Sequence, residues 1–249
     1  MIFHTFGNKD SKAIVLVHGM LTPWQIWNTA IKMFSKEYYV IVPELDAHTE
    51  EMPTVFHAVE EESEKIREYI MDDLNGQVFL LAGLSMGGRI AATLAKDEDI
   101  KIDYLVLDGA PLAKMNGLMK AVLKTNYRTI ITKTKKHDEK LMEQAKKEFL
   151  PEEMHPYYIK IAENMSMESV DNVINSVFSD FVITKYGSDM KILFMHGTKG
   201  NESVSRKCAI KMKEVNPQTE IRCFEGLAHA ELACFRSEQW VKEVEGFIS

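Results

Sequence analysis

The sequence predicts an α/β fold in which helices flank a mostly parallel central β-sheet. Short runs rich in Val, Ile and Leu alternate with longer stretches of helical periodicity, which is the pattern of that class. Five of the runs are almost wholly apolar, as strands are when a parallel sheet buries both of their faces. Two more runs alternate apolar and polar residues and therefore predict half-exposed edge strands.

The predicted elements follow one another along the chain with short connections. The buried strands are Ala13 to His18, Tyr38 to Leu45, Val78 to Leu84, Ile102 to Asp108 and Lys191 to His196, and the edge strands are Ile2 to Phe6 and Glu220 to Phe224. The helices are Trp24 to Ser35, Thr54 to Leu74, Met86 to Lys96, Ser203 to Val215 and Phe235 to Ile248. In the second helix, apolar residues recur at helical spacing and glutamates fall between them, which predicts one solvated face.

One interval interrupts this alternation. From Gly109 to Met190 the chain has helical periodicity but no convincing buried strand. A structureless loop of that length would be unusual in a compact domain, so we expect a helical insertion. The predicted organisation is therefore a core formed by residues 1–110 and 189–249 and an insertion formed by residues 111–188.

Composition and charge exclude several classes of function. The 249 residues carry a net charge of −7, which gives no electrostatic footprint for a phosphate backbone, so a nucleic-acid partner is not expected. Three cysteines without a C-x-x-C pair predict neither a disulfide framework nor a thiolate zinc site, so we expect a reducing cytoplasm. No signal-like segment or membrane-spanning apolar run occurs, no metal motif is present, and no cofactor is implied.

The strongest chemical signal is the pentapeptide Gly83-Leu84-Ser85-Met86-Gly87, which lies between a predicted strand and a predicted helix. A G-x-S-x-G sequence in that setting forms a sharp turn that exposes the serine hydroxyl in a strained conformation. The helix that follows directs its first amides and its dipole at the place where an oxyanion forms. This pattern predicts a nucleophilic serine.

With this motif, the chain resembles the α/β-hydrolase family from about Ile14 to its end. His18-Gly19-Met20 is similar to the family's H-G-x turn, which implies an oxyanion hole made by the backbone N–H groups of Met20 and Met86. His18 is expected to orient that turn rather than to transfer protons. The segment from Pro43 to Glu50 is similar to the family's P-D-x-x-G-H-G segment, but both glycines are replaced.

The resemblance implies that the general base is His229, in a G-x-x-H loop between the last predicted strand and the last helix. A serine hydroxyl has too high a pKa to attack unaided, so an imidazole must accept its proton. The only serious rival is His196, which occupies a strand-end position that precedes the acid in the family.

The acid is where the sequence departs from the family, because the position that normally carries a carboxylate is Gly200. Glu202 follows two residues later and has a longer side chain that compensates for the displacement. Asp108, at the end of the strand beside that of the nucleophile, is the alternative, since a minority of the family places its acid there. A triad requires only that a carboxylate reach the far imidazole nitrogen. Both residues stay open on the sequence alone.

In this family a helical cap inserted between strands six and seven covers the nucleophile and limits substrate size, so the insertion is expected to be that cap. Trp24, just after the oxyanion turn, is a candidate substrate contact. Apolar residues of the insertion are candidates for an acyl pocket or for the core of the cap: Leu112, Met115, Leu118, Met119, Val122, Phe149, Tyr157, Tyr158, Phe178 and Phe181.

The expected activity is that of a carboxylesterase or lipase-like serine hydrolase acting on small to medium acyl esters. The same scaffold also supports thioesterases and C–C hydrolases. A ligand-binding or receptor protein with little turnover is a further alternative, favoured by the missing carboxylate at position 200. The sequence indicates neither the physiological substrate nor the oligomeric state.

Overall fold

A computed structural model of the chain describes residues 1–200 and 202–249. These residues form a seven-stranded sheet in the order β1-β3-β2-β4-β5-β6-β7. Every neighbouring pair of strands is parallel except β1 and β3. The predicted α/β class is therefore confirmed, and the two strands expected at the edges lie there.

The strand bounds agree with the predictions to within one residue at each end. The strands are β1 Ile2–Phe6, β2 Ala13–Val17, β3 Tyr39–Glu44, β4 Gln77–Leu84, β5 Lys101–Asp108, β6 Lys191–Gly197 and β7 Thr219–Phe224. The four central strands β3, β2, β4 and β5 supply fully buried Val, Ile and Leu side chains on both faces of the sheet, as their continuous apolar sequences predict.

Within the described residues, ten α-helices pack around the sheet or lie in the insertion. They are α1 Asn28–Phe34, α2 Val59–Asp73, α3 Met86–Leu94, α4 Gly117–Lys135, α5 Glu139–Glu148, α6 His155–Asn164, α7 Met167–Val177, α8 Glu202–Val215, α9 Glu231–Phe235 and α10 Ser237–Ile248. Short 3₁₀ turns, Trp24–Trp27 and Glu152–Met154, lead into α1 and α6. No helix in the described part of the chain has the length and apolar content needed to cross a bilayer.

The predicted helix from Thr54 begins five residues too early, because tertiary contacts hold the preceding segment in an extended conformation. The Thr54 hydroxyl accepts the N–H of Ala47, and the amide of Phe56 donates to Ser169 in α7. Ala58 is fully extended, so α2 begins only at Val59. Helical periodicity in the sequence therefore extends several residues N-terminal of Val59, where the helical backbone begins.

The insertion contains the four helices α4 to α7 and no strand among its described residues. It lies between β5 and β6 of this chain. The expectation that the insertion lies between strands six and seven is therefore wrong by one strand. The sheet has seven strands, and only β1 precedes β2 in the chain. Serine hydroxyls of α7 accept backbone N–H groups of the segment before α2, and Asn164 donates to the carbonyls of Thr49 and Glu50. These bonds fasten the insertion to the loops that follow β3.

Candidate active site

Ser85 lies in a strained turn between β4 and α3. Its backbone has φ 52° and ψ −113°, a conformation that L-residues rarely adopt. The turn is so tight that a Cβ on Gly83 would lie 2.2 Å from the carbonyl oxygen of Gly87, and one on Gly87 would lie 2.2 Å from that of Val17. The two glycines of the pentapeptide are therefore sterically required. The predicted strand-to-helix turn is present.

A continuous chain of hydrogen bonds links Ser85, His229 and Glu202. The Ser85 Oγ atom lies 2.8 Å from Nε2 of His229, and Nδ1 of the same ring lies 2.5 Å from Oε1 of Glu202. This arrangement fits the tautomer in which Nδ1–H donates to the carboxylate and Nε2 accepts from the hydroxyl. The imidazole is thus positioned to take the serine proton.

Glu202 is nearly inaccessible to solvent and is held by three donors. Besides His229, the amide of Gly197 donates to its Oε2 at 2.8 Å, and the Ser205 hydroxyl lies 3.4 Å from Oε1. Burial opposes ionisation of this carboxyl, but the interactions with His229, the Gly197 amide and His196 together outweigh burial and keep the pKa of Glu202 below its usual value. The residue at position 202 is therefore suited to remain a carboxylate.

Asp108, the other candidate acid, forms no hydrogen bond or ion pair with His229 in the described part of the chain. Its carboxyl is buried and accepts one side-chain hydrogen bond, from Nε1 of Trp240 at 3.1 Å. Burial and then the charge of Glu202 raise the pKa of Asp108 to about 7. Of the two carboxyls that the sequence left open, the structure brings only Glu202 to the imidazole.

The two amides expected to form the oxyanion hole flank the serine. Met86 is the first residue of α3, where the N–H groups have no partner within the helix. Met20 follows Gly19, and a Cβ on Gly19 would lie 3.5 Å from Cβ of Ser85, so the two turns are in direct contact. Neither amide donates to an acceptor in the described part of the chain. Met86 thus directly follows the serine, and the turn that carries Met20 packs against it.

Two buried histidines hold the turn that contains Met20, which is expected to be the oxyanion turn, in place. The ring of His18 bonds the carbonyl oxygen of Gly19 through Nδ1 and accepts the amide N–H of Leu45 at Nε2. His48 bonds the Asp46 carbonyl and accepts the amide N–H of Leu21. Burial lowers the pKa of His18 to about 3 and that of His48 to about 4, so both rings are neutral near pH 7. Each ring orients backbone, as expected for His18.

The remaining sequence candidates lie elsewhere. His196 is buried, and its Nδ1 lies 2.7 Å from the carbonyl oxygen of Gly197, so it shapes the strand end rather than contacting Ser85. The ring of Trp24 stacks on His4 of β1 with 4.1 Å between ring centroids. Trp24 forms no hydrogen bond or ring contact with Ser85 or His229 in the described part of the chain, and its contact with substrate stays a prediction.

Gly109 was not singled out by the sequence reasoning, although it forms one wall of the site. It has φ 61°, and a Cβ at this position would lie 2.8 Å from Cε1 of His229 and 3.0 Å from its Nδ1. Only glycine lets the chain after β5 pass so close to the imidazole. The only feature of the sequence that points to Gly109 is its place directly after Asp108, the carboxylate at the end of a predicted strand.

A cavity of about 270 Å³ lies between the oxyanion turn and the insertion. Leu21, the residue after Met20, forms part of its wall. The other lining residues come from α4, α5 and α6 and the segment after α5: Tyr127, Ile130, Leu141, Gln144, Ala145, Glu148, Phe149 and Tyr158. Of the ten apolar insertion residues considered above, Phe149 and Tyr158 line this cavity, whereas Leu118, Met119 and Val122 are exposed to solvent.

Sequence comparison links the chain to known proteins. A family model described as the alpha/beta hydrolase fold matches residues 12–182, which include Ser85 and Asp108. An AB hydrolase superfamily protein of Gibberella zeae is 22% identical over 109 residues. The match covers 43% of this chain and 39% of that protein, so it spans well under half of the relative's length.

Solved structures resemble the whole chain. That of an alpha/beta hydrolase family protein from Desulfitobacterium hafniense superposes with a TM-score of 0.80 at 19% identity and covers 100% of both chains. One from work on carboxylesterases of Nitrososphaera gargenis has a TM-score of 0.76 at 17% identity and covers 99% of this chain and 93% of that one. At such identities the likeness establishes a shared fold and leaves the substrate open.

Proposed function

The chain belongs to the alpha/beta hydrolase fold family, and on that premise we propose that it is a serine hydrolase that cleaves carboxylic esters through an acyl-enzyme. The single observation that carries the proposal is the chain of hydrogen bonds from Ser85 through His229 to Glu202. A nucleophile, a base and an orienting acid in that order are what acyl transfer to water requires.

In the first half of the reaction, Nε2 of His229 accepts the hydroxyl proton as Ser85 Oγ attacks the ester carbonyl. The carbonyl oxygen becomes an oxyanion, and the N–H groups of Met20 and Met86 stabilise it; each such donor contributes about 10²- to 10³-fold in rate. When the tetrahedral intermediate collapses, His229 returns the proton to the departing alcohol. The acyl group stays on Ser85.

In the second half, His229 takes a proton from a water molecule, and the hydroxide oxygen bonds to the acyl carbon. When this second tetrahedral intermediate collapses, the bond from the acyl carbon to Ser85 Oγ breaks, His229 returns the proton to Oγ, and the carboxylic acid leaves. Glu202 keeps the ring in the tautomer that leaves Nε2 free to accept, and its negative charge stabilises the imidazolium formed in both halves. The neutral, buried rings of His18 and His48 do not take part in proton transfer. Their role in this proposal is to hold the oxyanion turn against Ser85.

We further propose that residues 111–188 act as a cap and that the cavity beneath it receives the acyl group. The cavity begins at Leu21, next to the proposed oxyanion donor Met20, and most of its lining is apolar. A volume of about 270 Å³ is just below the usual range for ligand sites, which favours small to medium acyl groups. We also propose a reducing compartment such as the cytoplasm, since all three cysteines are free thiols.

The experiment that tests the proposal measures hydrolysis of p-nitrophenyl esters of increasing acyl length. We expect turnover by the wild-type chain, with a preference for short or medium chains, and a loss of at least about 10³-fold in Ser85→Ala. Ser188→Ala, which alters an exposed loop serine, is the matched control and should keep full activity. A folded wild-type chain that binds these esters but turns none over would instead favour the ligand-binding alternative.

A further inference from the structure

The insertion opens with a stretch that is basic throughout. From Gly109 to His137 the chain has seven Lys or Arg residues and no Asp or Glu, although the protein as a whole carries a net charge of −7. Most of this stretch is α4. The basic residues are Lys114, Lys120, Lys124, Arg128, Lys133, Lys135 and Lys136.

The same helix exposes large apolar side chains in its first two turns. Leu118 is 78% exposed, Met119 54% and Val122 55%, and Leu118 is the most exposed large apolar side chain in the described part of the chain. A Cβ on Gly117 would meet no atom within 4 Å, so the helix begins free of neighbouring chain. The amino-terminal end of α4 therefore presents apolar side chains to solvent, and their exposed area does not pack against the hydrophobic core.

Only part of the positive charge on α4 is compensated within the protein. Lys114 pairs with Asp180 and Arg128 with Asp171, but the first of these pairs is fully exposed and such pairs contribute little. Lys124, Lys133 and Lys136 form no ion pair with any described residue. Burial and then the charges of Lys114 and Lys124 lower the pKa of Lys120, as expected where cations crowd one another.

We propose that the amino-terminal turns of α4 dock on the surface of a bilayer that contains anionic lipids. In this arrangement Leu118, Met119 and Val122 enter the interface between headgroups and acyl chains. The exposed Lys133 and Lys136, which helical spacing places on the same side of α4, contact lipid phosphates. Apolar side chains combined with cationic ones on one exposed helix are what interfacial binding uses. The charge of the surface is complementary to that of the lipid.

The form of the surface favours a bilayer over a second copy of this chain. In a symmetric dimer the same patch meets itself, which would bring like charges together around Leu118. A projecting helix end also needs a partner that can surround it, and a fluid bilayer does so without a preformed groove. The occupant is therefore a lipid surface whose charge is negative.

The test is flotation of the full-length protein with vesicles of phosphatidylcholine alone or mixed with phosphatidylglycerol. We expect binding to the anionic vesicles only, weakened by salt. Lys133→Glu should lower that binding by about 25-fold, because it changes the charge by two units and each unit near an anionic surface contributes about fivefold. The double variant Leu118→Ser, Val122→Ser should lower it by about tenfold or more.

Two matched controls lie on α8, away from the patch. Lys213→Glu makes the same change of charge, and Ile210→Ser removes a side chain that is 47% exposed; both should bind as the wild type does. The inference is overturned if the wild type binds neither kind of vesicle or both equally, or if the α4 variants bind like the controls. It is also overturned if the Leu118 and Val122 changes dissociate a wild-type dimer in sedimentation, since the patch would then join two copies.

The docking proposal does not depend on the proposed ester hydrolysis, so each proposal can be refuted without the other. Ser85→Ala should keep its vesicle binding while losing ester hydrolysis. The α4 variants should keep wild-type hydrolysis of a short, water-soluble p-nitrophenyl ester, which also shows that they are folded. Loss of hydrolysis in an α4 variant whose circular dichroism is unchanged would contradict the assignment of this surface to docking alone.

Discussion

The backbone carbonyl oxygen of Asp108 accepts the amide N–H of Ser85 at 2.7 Å, while the carboxyl of Asp108 is turned toward Trp240. Asp108 thus holds the turn at Ser85 through its main chain, while Glu202 bonds the imidazole of His229. Because a main-chain bond survives any change of side chain, the carboxyl can be altered without releasing Ser85.

The two carboxyls should differ sharply when each is changed to the amide. Glu202→Gln removes the charge that stabilises the imidazolium and offers His229 a group that favours the wrong tautomer, so we expect kcat to fall by up to about 10⁴-fold. Asp108→Asn keeps an oxygen that can accept from Trp240, and we expect a loss of less than about tenfold. Ester kinetics for both variants, with circular dichroism as the control for folding, show which carboxyl orients the imidazole. A larger loss in Asp108→Asn would reverse the assignment.

Asp108 should also make stability depend on pH. Its pKa is raised from 3.8 to about 7 in the folded chain, so the folded state holds more protons between those values than the unfolded state does. The free energy of unfolding contributed by this group is therefore full below about pH 4 and falls by a few kcal/mol as the pH rises through about 7.

The Asp108→Asn variant, which does not ionise, isolates that contribution. Urea unfolding of wild type and variant between about pH 5 and pH 8 should give a smaller decline with pH for the variant. Parallel declines in the two proteins would show that Asp108 is ionised in the folded state across this range.

Gly109→Ala should impair catalysis by displacing the base. The added Cβ would lie 2.8 Å from Cε1 of His229, and the positive φ adds strain of about 1–3 kcal/mol. We expect a loss of at least tenfold in kcat and a lower melting temperature. The control is Gly246→Ala in α10, where the new Cβ meets nothing within 4 Å and should stabilise the helix slightly. Wild-type kinetics in Gly109→Ala would mean that the imidazole has more room than the structure gives it.

Filling the cavity beneath the proposed cap should shift the preference for acyl length. Ala145 on α5 lines the cavity, and Ala145→Phe would occupy part of its roughly 270 Å³. We expect kcat/KM for medium-chain p-nitrophenyl esters to fall by about tenfold or more, while that for the acetate stays within about threefold. Lys147→Phe puts the same ring on an exposed position of the same helix and serves as the control. An equal loss for all chain lengths would argue that the acyl group lies elsewhere.

Most of the fold was predictable because its signals are local. The buried strands are continuous apolar runs, and the edge strands alternate, so sheet order at both edges followed from periodicity. The start of α2 was not predictable, since the bonds that keep Ala58 extended come from α7, more than a hundred residues away in sequence. Tertiary contacts of that kind leave no mark in a short window of sequence.

The candidate site was predictable in part for a similar reason. The turn around Ser85 and the loop of His229 have local motifs, whereas the acid has none, because Gly200 interrupts the expected pattern. The choice between Glu202 and Asp108 depends on which side chain reaches Nδ1 of the imidazole, and that is a distance across the end of the sheet. Gly109 escaped notice because its neighbour His229 lies 120 positions later in the chain.

The central claim is that Ser85 is a nucleophile activated by His229, and covalent labelling with a fluorophosphonate probe followed by peptide mass mapping tests it most directly. The account predicts one adduct per chain, located on Ser85, and labelling at least about 10²-fold slower in His229→Gln. A folded wild-type protein that stays unlabelled, or that reacts as fast without the imidazole as with it, would contradict the account.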